Sequence, residues 1–400
     1  MNINEHMIAT MREATQALRN KYTNGRISGA RSATEAIQRT LKEFMPNGAG
    51  IADTPPRPVM RDINPAPRTD GHKPEVANNF VTDLLQGLHL PSKANIPSFE
   101  LPGLHAHPMA DTEAEPDPLA GGRFIAGSHT NRFGTRGYKL YIPTGYHGQP
   151  LPLVVMLHGC TQNPDDFAAG TRMNAIAEEK QCFVVYPSQA QSANNSRCWN
   201  WFNALDQQRD QGEPSIIAGI TRDVIETYHI DDRQVFIAGM SSGGAMSVIM
   251  ATAYPDLYAA VGIHSGLPYA SAQDLTSALA AMKGGAVDSM ASPRIKGIPI
   301  IVFHGDKDHT VHPRNGDQII AQSLAGNAAA QASTEQGKQP NGRAYKRTVH
   351  RDTHGHAVAE HWVVHGAGHA WSGGSNRGSY TDPKGPDAGR EMMRFFSTQR

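Results

Sequence analysis

A buried strand, a glycine-flanked serine and a helix follow one another at residues 235–254 with no spacer. The apolar run Val235-Phe236-Ile237-Ala238 passes into Gly239-Met240-Ser241-Ser242-Gly243-Gly244, and Ala245 to Tyr254 reads as a helix. Only a tight turn makes that reversal, and side chains beside the serine would collide with the strand and helix, hence the glycines. Such a turn lifts Ser241 into a sharp elbow, exposes its hydroxyl and aims the Ser242 N–H at a reacting oxygen. A G-x-S-x-G box alone is common by chance. One on a strand–helix junction with partners downstream is not.

The partners follow. The strand Pro299 to Phe303 runs into His304-Gly305-Asp306-Lys307-Asp308, and the strand His361 to Val364 leads into His365-Gly366-Ala367-Gly368-His369. A carboxylate just beyond a strand end can orient an imidazole. Asp308 is assigned over Asp306, because the earlier aspartate suits holding the turn and the later one lies further towards the site. His369, on a glycine-rich loop, can reach a serine built elsewhere. His304, His309 and His312 compete as bases, but a base so close in sequence to its carboxylate rarely reaches across a sheet. The order Ser, Asp, His is that of α/β-hydrolases. Serine is a weak nucleophile until a neighbouring base takes its proton. His369 is expected to be that base and then the acid for the leaving alcohol. Asp308 is expected to fix the imidazole tautomer.

A tetrahedral oxyanion needs two fixed donors. Ser242 N–H is one. The second is assigned to the Cys160 N–H, on the loop His158-Gly159-Cys160-Thr161-Gln162 that follows the strand Leu153 to Leu157. His158 is read as holding a structural hydrogen bond and His264 as packing a loop. Trp199, Trp201 and Trp371 stand in motifs beside the site and are read as substrate-binding, with the alternative that one or more pack under loops. His350, His354, His356 and His361 resemble a metal cluster but read better as a hairpin with solvated imidazoles. No metal is expected.

An early antiparallel strand is expected over 133–141, and parallel strands near 151–157, 182–186, 235–240, 259–264, 299–303 and 358–364. Helices are expected near 164–180, 214–228, 244–254 and 313–325, a further strand over 343–349, and a closing helix over 387–396. Alternating strand and helix predicts an α/β fold, a mostly parallel central sheet flanked by helices. Residues 121–400 are assigned to this domain. Residues 1–45 carry apolar positions at helical spacing, with Ala14-Thr15-Gln16-Ala17-Leu18 echoed by Ala33-Thr34-Glu35-Ala36-Ile37, and read as a helical N-terminal extension. Residues 46–120 read as a Pro-rich linker with one short helix over 79–88.

Together, Leu157-His158-Gly159-Cys160-Thr161-Gln162, Cys198-Trp199-Asn200-Trp201-Phe202, the box at 239–244, Gly305-x-x-Asp308-x-x-Val311 and Gly368-His369 resemble the polyhydroxybutyrate depolymerase-type esterases over about residues 120 to 400. The resemblance implies an α/β-hydrolase that cleaves carboxylic esters without a cofactor. It implies poly(3-hydroxybutyrate) or hydroxyalkanoate oligomers as substrate, with feruloyl or acetylxylan esters as the alternative, and an oxyanion N–H from Cys160. Residues 1–45 are similar to extensions of some bacterial members, so a hydrophobic granule surface is a candidate partner, and a granule-associated role with minor activity a further alternative.

Lys and Arg total 37 and Asp and Glu total 37, so nothing points to nucleic acid or an acidic surface. No apolar run approaches the roughly 20 residues that span a bilayer. Residues 1–6 lack a basic start and apolar core, so no secretory signal is expected; a cytoplasmic location is favoured, with extracellular as the alternative. The three cysteines are too few for a disulfide scaffold. Cys182 reads as a buried thiol. Cys160 and Cys198 are either bridged, bracing the oxyanion loop, or free, as a reducing cytosol would keep them.

Overall fold

The structure is a computed structural model and describes residues 121–285, 297–325 and 330–399. The helical extension over 1–45 and the linker over 46–120 lie outside the described residues.

The strands are β1 (Arg123–Asn131), β2 (Gly134–Ile142), β3 (Leu153–Leu157), β4 (Phe183–Pro187), β5 (Val235–Met240), β6 (Ala260–His264), β7 (Ile300–Gly305), β8 (Gln331–Lys338), β9 (Ala344–Arg351) and β10 (Ala357–Val364). They form one sheet in the order β1-β2-β4-β3-β5-β6-β7-β10-β9-β8. From β4 through β10 every pairing is parallel, and the outer pairings on both sides are antiparallel. The expected α/β-hydrolase architecture is therefore present.

The helices are α1 (Pro164–Thr171), α2 (Met173–Lys180), α3 (Gly212–Tyr228), α4 (Ser242–Ala253), α5 (Leu275–Gly284), α6 (Arg314–Leu324) and α7 (Ala388–Phe396). The central strands are buried at every position because both faces are covered. Leu153, Val155 and Leu157 join Val235 and Ile237 in one core with residues of α3 and α4. Val154 and Met156 join Phe236, Ala238 and Met240 in the other, with residues of α1, α2 and α7. This period-2 division is what a doubly covered sheet demands. A small pair, β11 (Trp371–Ser372) with β12 (Thr381–Asp382), lies beyond β10.

The single helix expected over 164–180 is broken. Arg172 takes φ 55° between α1 and α2, and its guanidinium donates to Gly373 O at 3.0 Å and Asp387 Oδ2 at 2.7 Å. Contacts remote in sequence hold the kink. Strand β8 was not expected: it is a polar, exposed edge with no apolar alternation. Helix α5 was also missed, though Asp274 and Ser277 cap it reciprocally.

Candidate active site

Ser241 sits between β5 and α4 with φ 56° and ψ −119°, a backbone state that a non-glycine residue holds only at a cost. Surrounding bonds enforce it. Ser241 N–H donates to His264 O at 2.9 Å, and Ala245 N–H to Ser241 O at 2.9 Å. A Cβ on Gly243 would run into the carbonyl oxygens of Leu157 and His158, so the box glycine is a steric requirement. Ser242 opens α4, where the first N–H groups have no acceptor inside the helix.

Beyond β7, the chain doubles back around a buried carboxylate. Asp308 Oδ1 accepts the N–H groups of Thr310 and Val311, at 2.9 and 2.8 Å. Its other oxygen, Oδ2, meets His369 Nδ1 at 2.7 Å. Burial alone would raise the Asp308 pKa, but the adjoining His369 and His304 imidazoles outweigh it and hold the carboxyl well below its usual range. Asp308 is thus an anion throughout ordinary conditions. Asp306 does something else: it accepts Gly366 N–H at 2.7 Å and meets His365 Nδ1 at 2.9 Å, tying the β7 loop to the loop that carries His369. Of the competing histidines, His304 is buried, with Nε2 donating to Val311 O at 2.8 Å. His309 and His312 are exposed.

The loop that carries Cys160 is braced at several points. Gly159 N–H donates to Gln162 Oε1 at 2.9 Å and Thr161 N–H to Ser196 O at 2.6 Å; neither bond uses the Cys160 N–H. Cys160 is disulfide-bonded to Cys198, which resolves the open alternative. A reducing compartment would oppose that bridge, so the cytoplasmic expectation finds no support in it. Cys182 is free and buried, its thiol pKa pushed up to about 12 by burial. His158 is wholly internal: Gln189 N–H donates to Nε2 at 3.1 Å, so Nδ1 carries the proton that goes to Gly159 O at 2.7 Å. Burial lowers its pKa to about 4, keeping it neutral.

Ser241, Cys160 and His369 line one cavity together with Gln162, Thr310 and Tyr380. Ser241, Cys160 and Ser242 also line an adjoining space walled by Trp201 and Phe202. Trp199 and Trp371 line neither of these two spaces, a correction to their reading as substrate-binding residues. Trp199 is fully buried and donates Nε1–H to His158 O at 3.1 Å. Trp371 packs edge-on to Phe167 and stacks on His264, at ring separations of 5.5 and 5.2 Å. Tight motifs place both rings beneath the loops rather than between them. His264, also buried, accepts Ser372 N–H at 3.0 Å, and burial, aided by His304, lowers its pKa to about 3.

His354 and His356 occupy the β9–β10 turn, exposed, with both N–H groups on Asp352 Oδ1 at 2.9 Å. His361 departs from the expected solvated state. It is buried against α6, and burial lowers its pKa to about 4. Among the described residues, no group of three or more His, Cys, Asp or Glu is placed to hold a metal.

Two supports were missed in the sequence. Buried Glu213 accepts Asn200 N–H and Asn200 Nδ2–H, each at 2.8 Å, and bonds Gln189, which donates to Cys198 O at 2.9 Å. It anchors the 198–202 segment to α3. Asp166 accepts from Gln162 Nε2 at 2.8 Å and from Ser379 N–H at 2.8 Å, binding the 373–380 loop to the loop that carries Cys160 and placing Tyr380 at the cavity. Only polar residues next to helix starts hinted at either.

Comparison with known proteins adds a family. The profile described as "Esterase PHB depolymerase" matches residues 136–343. Poly(3-hydroxyalkanoate) depolymerase C of Paucimonas lemoignei is 30% identical over 260 residues, 60% of this chain and 61% of that one. A probable acetylxylan esterase A of Aspergillus fumigatus is 29% identical over 206 residues, 46% of this chain and 53% of that one. The chain therefore spans less than two thirds of either relative. The solved acetyl xylan esterase from Aspergillus awamori superposes with a TM-score of 0.53 at 24% identity, covering 68% of this chain and 99% of that one, a likeness of fold.

Proposed function

Because this chain belongs to the Esterase PHB depolymerase family, we propose that it is a serine esterase working through Ser241, His369 and Asp308. The observation that carries the reading is the 2.7 Å bond from His369 Nδ1 to Asp308, with His369 and Ser241 lining one cavity. The Asp308 carboxylate accepts the Nδ1 proton, which leaves Nε2 free to act as base. No hydrogen bond joins Ser241 Oγ to His369 among the described residues; contacts of this kind often tighten only with substrate bound.

Ser241 Oγ attacks the ester carbonyl carbon, and its proton passes to His369 Nε2. The oxygen anion that forms is held by the N–H groups of Ser242 and Cys160. The bond from carbon to alcohol oxygen then breaks as Nε2 returns its proton to that oxygen, leaving an acyl-serine. Water repeats the sequence and releases the acid. Asp308 stays ionised and stabilises the imidazolium.

The substrates proposed are hydroxyalkanoate esters and oligomers, as the name of the Paucimonas relative suggests. Esters of plant polysaccharide are the second reading, supported by the acetylxylan esterase relative. The disulfide favours an oxidising, extracellular setting. Granule binding is a separate proposal resting on residues 1–45, and deleting them tests it. Turnover of 3-hydroxybutyrate oligomers, acetylated xylan and methyl ferulate by the purified chain decides among the substrates. No turnover of any ester would end the proposal.

A further inference from the structure

Two spaces meet at Ser241 and Cys160, and they differ in chemistry. One contains His369, with the hydroxyls of Thr310 and Tyr380 and the amide of Gln162. The other lacks His369 and is walled by Trp201, Phe202, Leu267, Leu279, Met282 and Val311, with the Cys160–Cys198 bridge beside them. Resting on the esterase reading above, we infer that this second, apolar arm is the acyl pocket, and that it selects acyl groups of four or more carbons over acetyl.

The assignment follows from proton bookkeeping. The alcohol oxygen must lie beside the imidazole that protonates it, so the leaving alcohol occupies the arm that holds His369. The acyl carbon stands between Ser241 Oγ and the oxyanion donors, and what extends from it on the other side enters the arm without His369. The alcohol arm can hydrogen-bond a polar alcohol. In the acyl arm, the named side chains offer hydrocarbon, aromatic rings, one thioether and a single donor, the Trp201 indole N–H.

That arm is built before any substrate arrives. Trp201 and Phe202 pack edge to face at 5.6 Å. The buried Gln207 amide donates to Trp201 O at 2.9 Å and to Ala272 O at 2.8 Å, locking the tryptophan loop to the segment before α5. At the other end, His312 N–H donates to Met282 O at 2.7 Å and Asn315 Nδ2–H to Ala281 O at 2.9 Å, pinning α5 to the start of α6. Leu279 and Met282 are only half-buried, so these α5 side chains have apolar surface left to cover. An acetyl methyl leaves most of that wall wet. Each further methylene that enters contributes about fourfold in binding.

The test is a series of p-nitrophenyl acetate, butanoate, hexanoate and octanoate with the purified full chain. The kcat/KM ratio of hexanoate to acetate is expected to be about tenfold or more. Leu279→Trp narrows the arm and is expected to cut that ratio by about tenfold. Met282→Ala widens it and is expected to move the preferred length upward; it also serves if Leu279→Trp fails to fold. An active enzyme with a flat series, or a ratio that neither variant moves, overturns the acyl pocket alone. No hydrolysis of any ester in the series overturns the esterase reading and the pocket with it.

Discussion

The serine elbow and the tryptophan loop at 196–211 border one space, through Ser241 and Trp201, and are specified in opposite ways. The elbow is written largely locally: within residues 239–244 the glycines and the strained serine dictate the turn, and the atoms that fix it, His264 O included, belong to the backbone. The tryptophan loop is written at a distance. It is held by Glu213 on α3, by Gln189 after β4 and by the bridge to Cys160. Local encoding suits a nucleophile that needs one geometry. Distributed encoding suits a wall whose shape sets which substrate fits. Removing the serine hydroxyl should therefore change rate without stability, and substitutions behind the loop should change stability first.

The sharpest test of that division is Ser241→Ala. Turnover should fall by about 10³-fold or more while the melting temperature holds, because the substitution keeps the backbone bonds of residue 241 and removes only its hydroxyl. A variant that lost stability along with activity would show that the elbow is structural. Next come the paired aspartates. Asp308→Asn should cost about 10²-fold to 10⁴-fold in kcat, because an amide can present the wrong partner to Nδ1. Asp306→Asn touches only His365 and Gly366 and should cost less than about tenfold. Equal losses would mean that the loop, rather than the carboxylate at His369, is what matters.

The same contrast explains what could be read from sequence. The sheet was legible because β3 to β7 are mostly apolar on both faces and lie close to glycine or proline. Ser241 and Asp308 stood out as candidates because each follows such a strand within a few residues, and His369 because it lies on a glycine-rich loop after β10. Trp199 and Trp371 were misread because a motif records proximity to the site and not the direction of a ring. Glu213, Gln189 and Asp166 were nearly invisible because most of their partners are far off in sequence or on the backbone. Strand β8 offers no pattern at all, since an exposed edge pairs through its backbone.

Behind the loop, the effect passes to stability. Cys160 and Cys198 are 38 residues apart, and on the chain-entropy view the bridge restricts the unfolded chain by about 4 kcal/mol. Reduction, or Cys198→Ser, should lower the melting temperature by several degrees. Because the bridge adjoins both the loop proposed to hold the oxyanion and the proposed acyl wall, kcat should also fall. An unchanged melting temperature with normal turnover would show that the bonded network alone suffices.

The smallest effect, and the most specific, concerns Glu213. Burial raises its pKa above the ordinary carboxylate value, Asp206 raises it further, and bonds from Gln189 and Asn200 and the charge of Arg136 only partly offset this. A group whose folded pKa is raised holds more protons folded than unfolded within that window, so its stabilising contribution is complete at acid pH. That contribution is lost as pH climbs from the ordinary glutamate range through the raised value. Glu213→Gln cannot titrate. It should flatten the fall of melting temperature across this interval, leaving the share that belongs to Asp206, whose pKa burial also raises. The variant also turns an amide group towards the Asn200 donors, a roughly constant cost of about 1 kcal/mol that shifts the curve without tilting it. The slope is thus the informative quantity. If wild type and Glu213→Gln lose stability equally across the window, Glu213 is already ionised there, and the tryptophan loop is anchored by a permanent charge rather than by a proton-shared cluster.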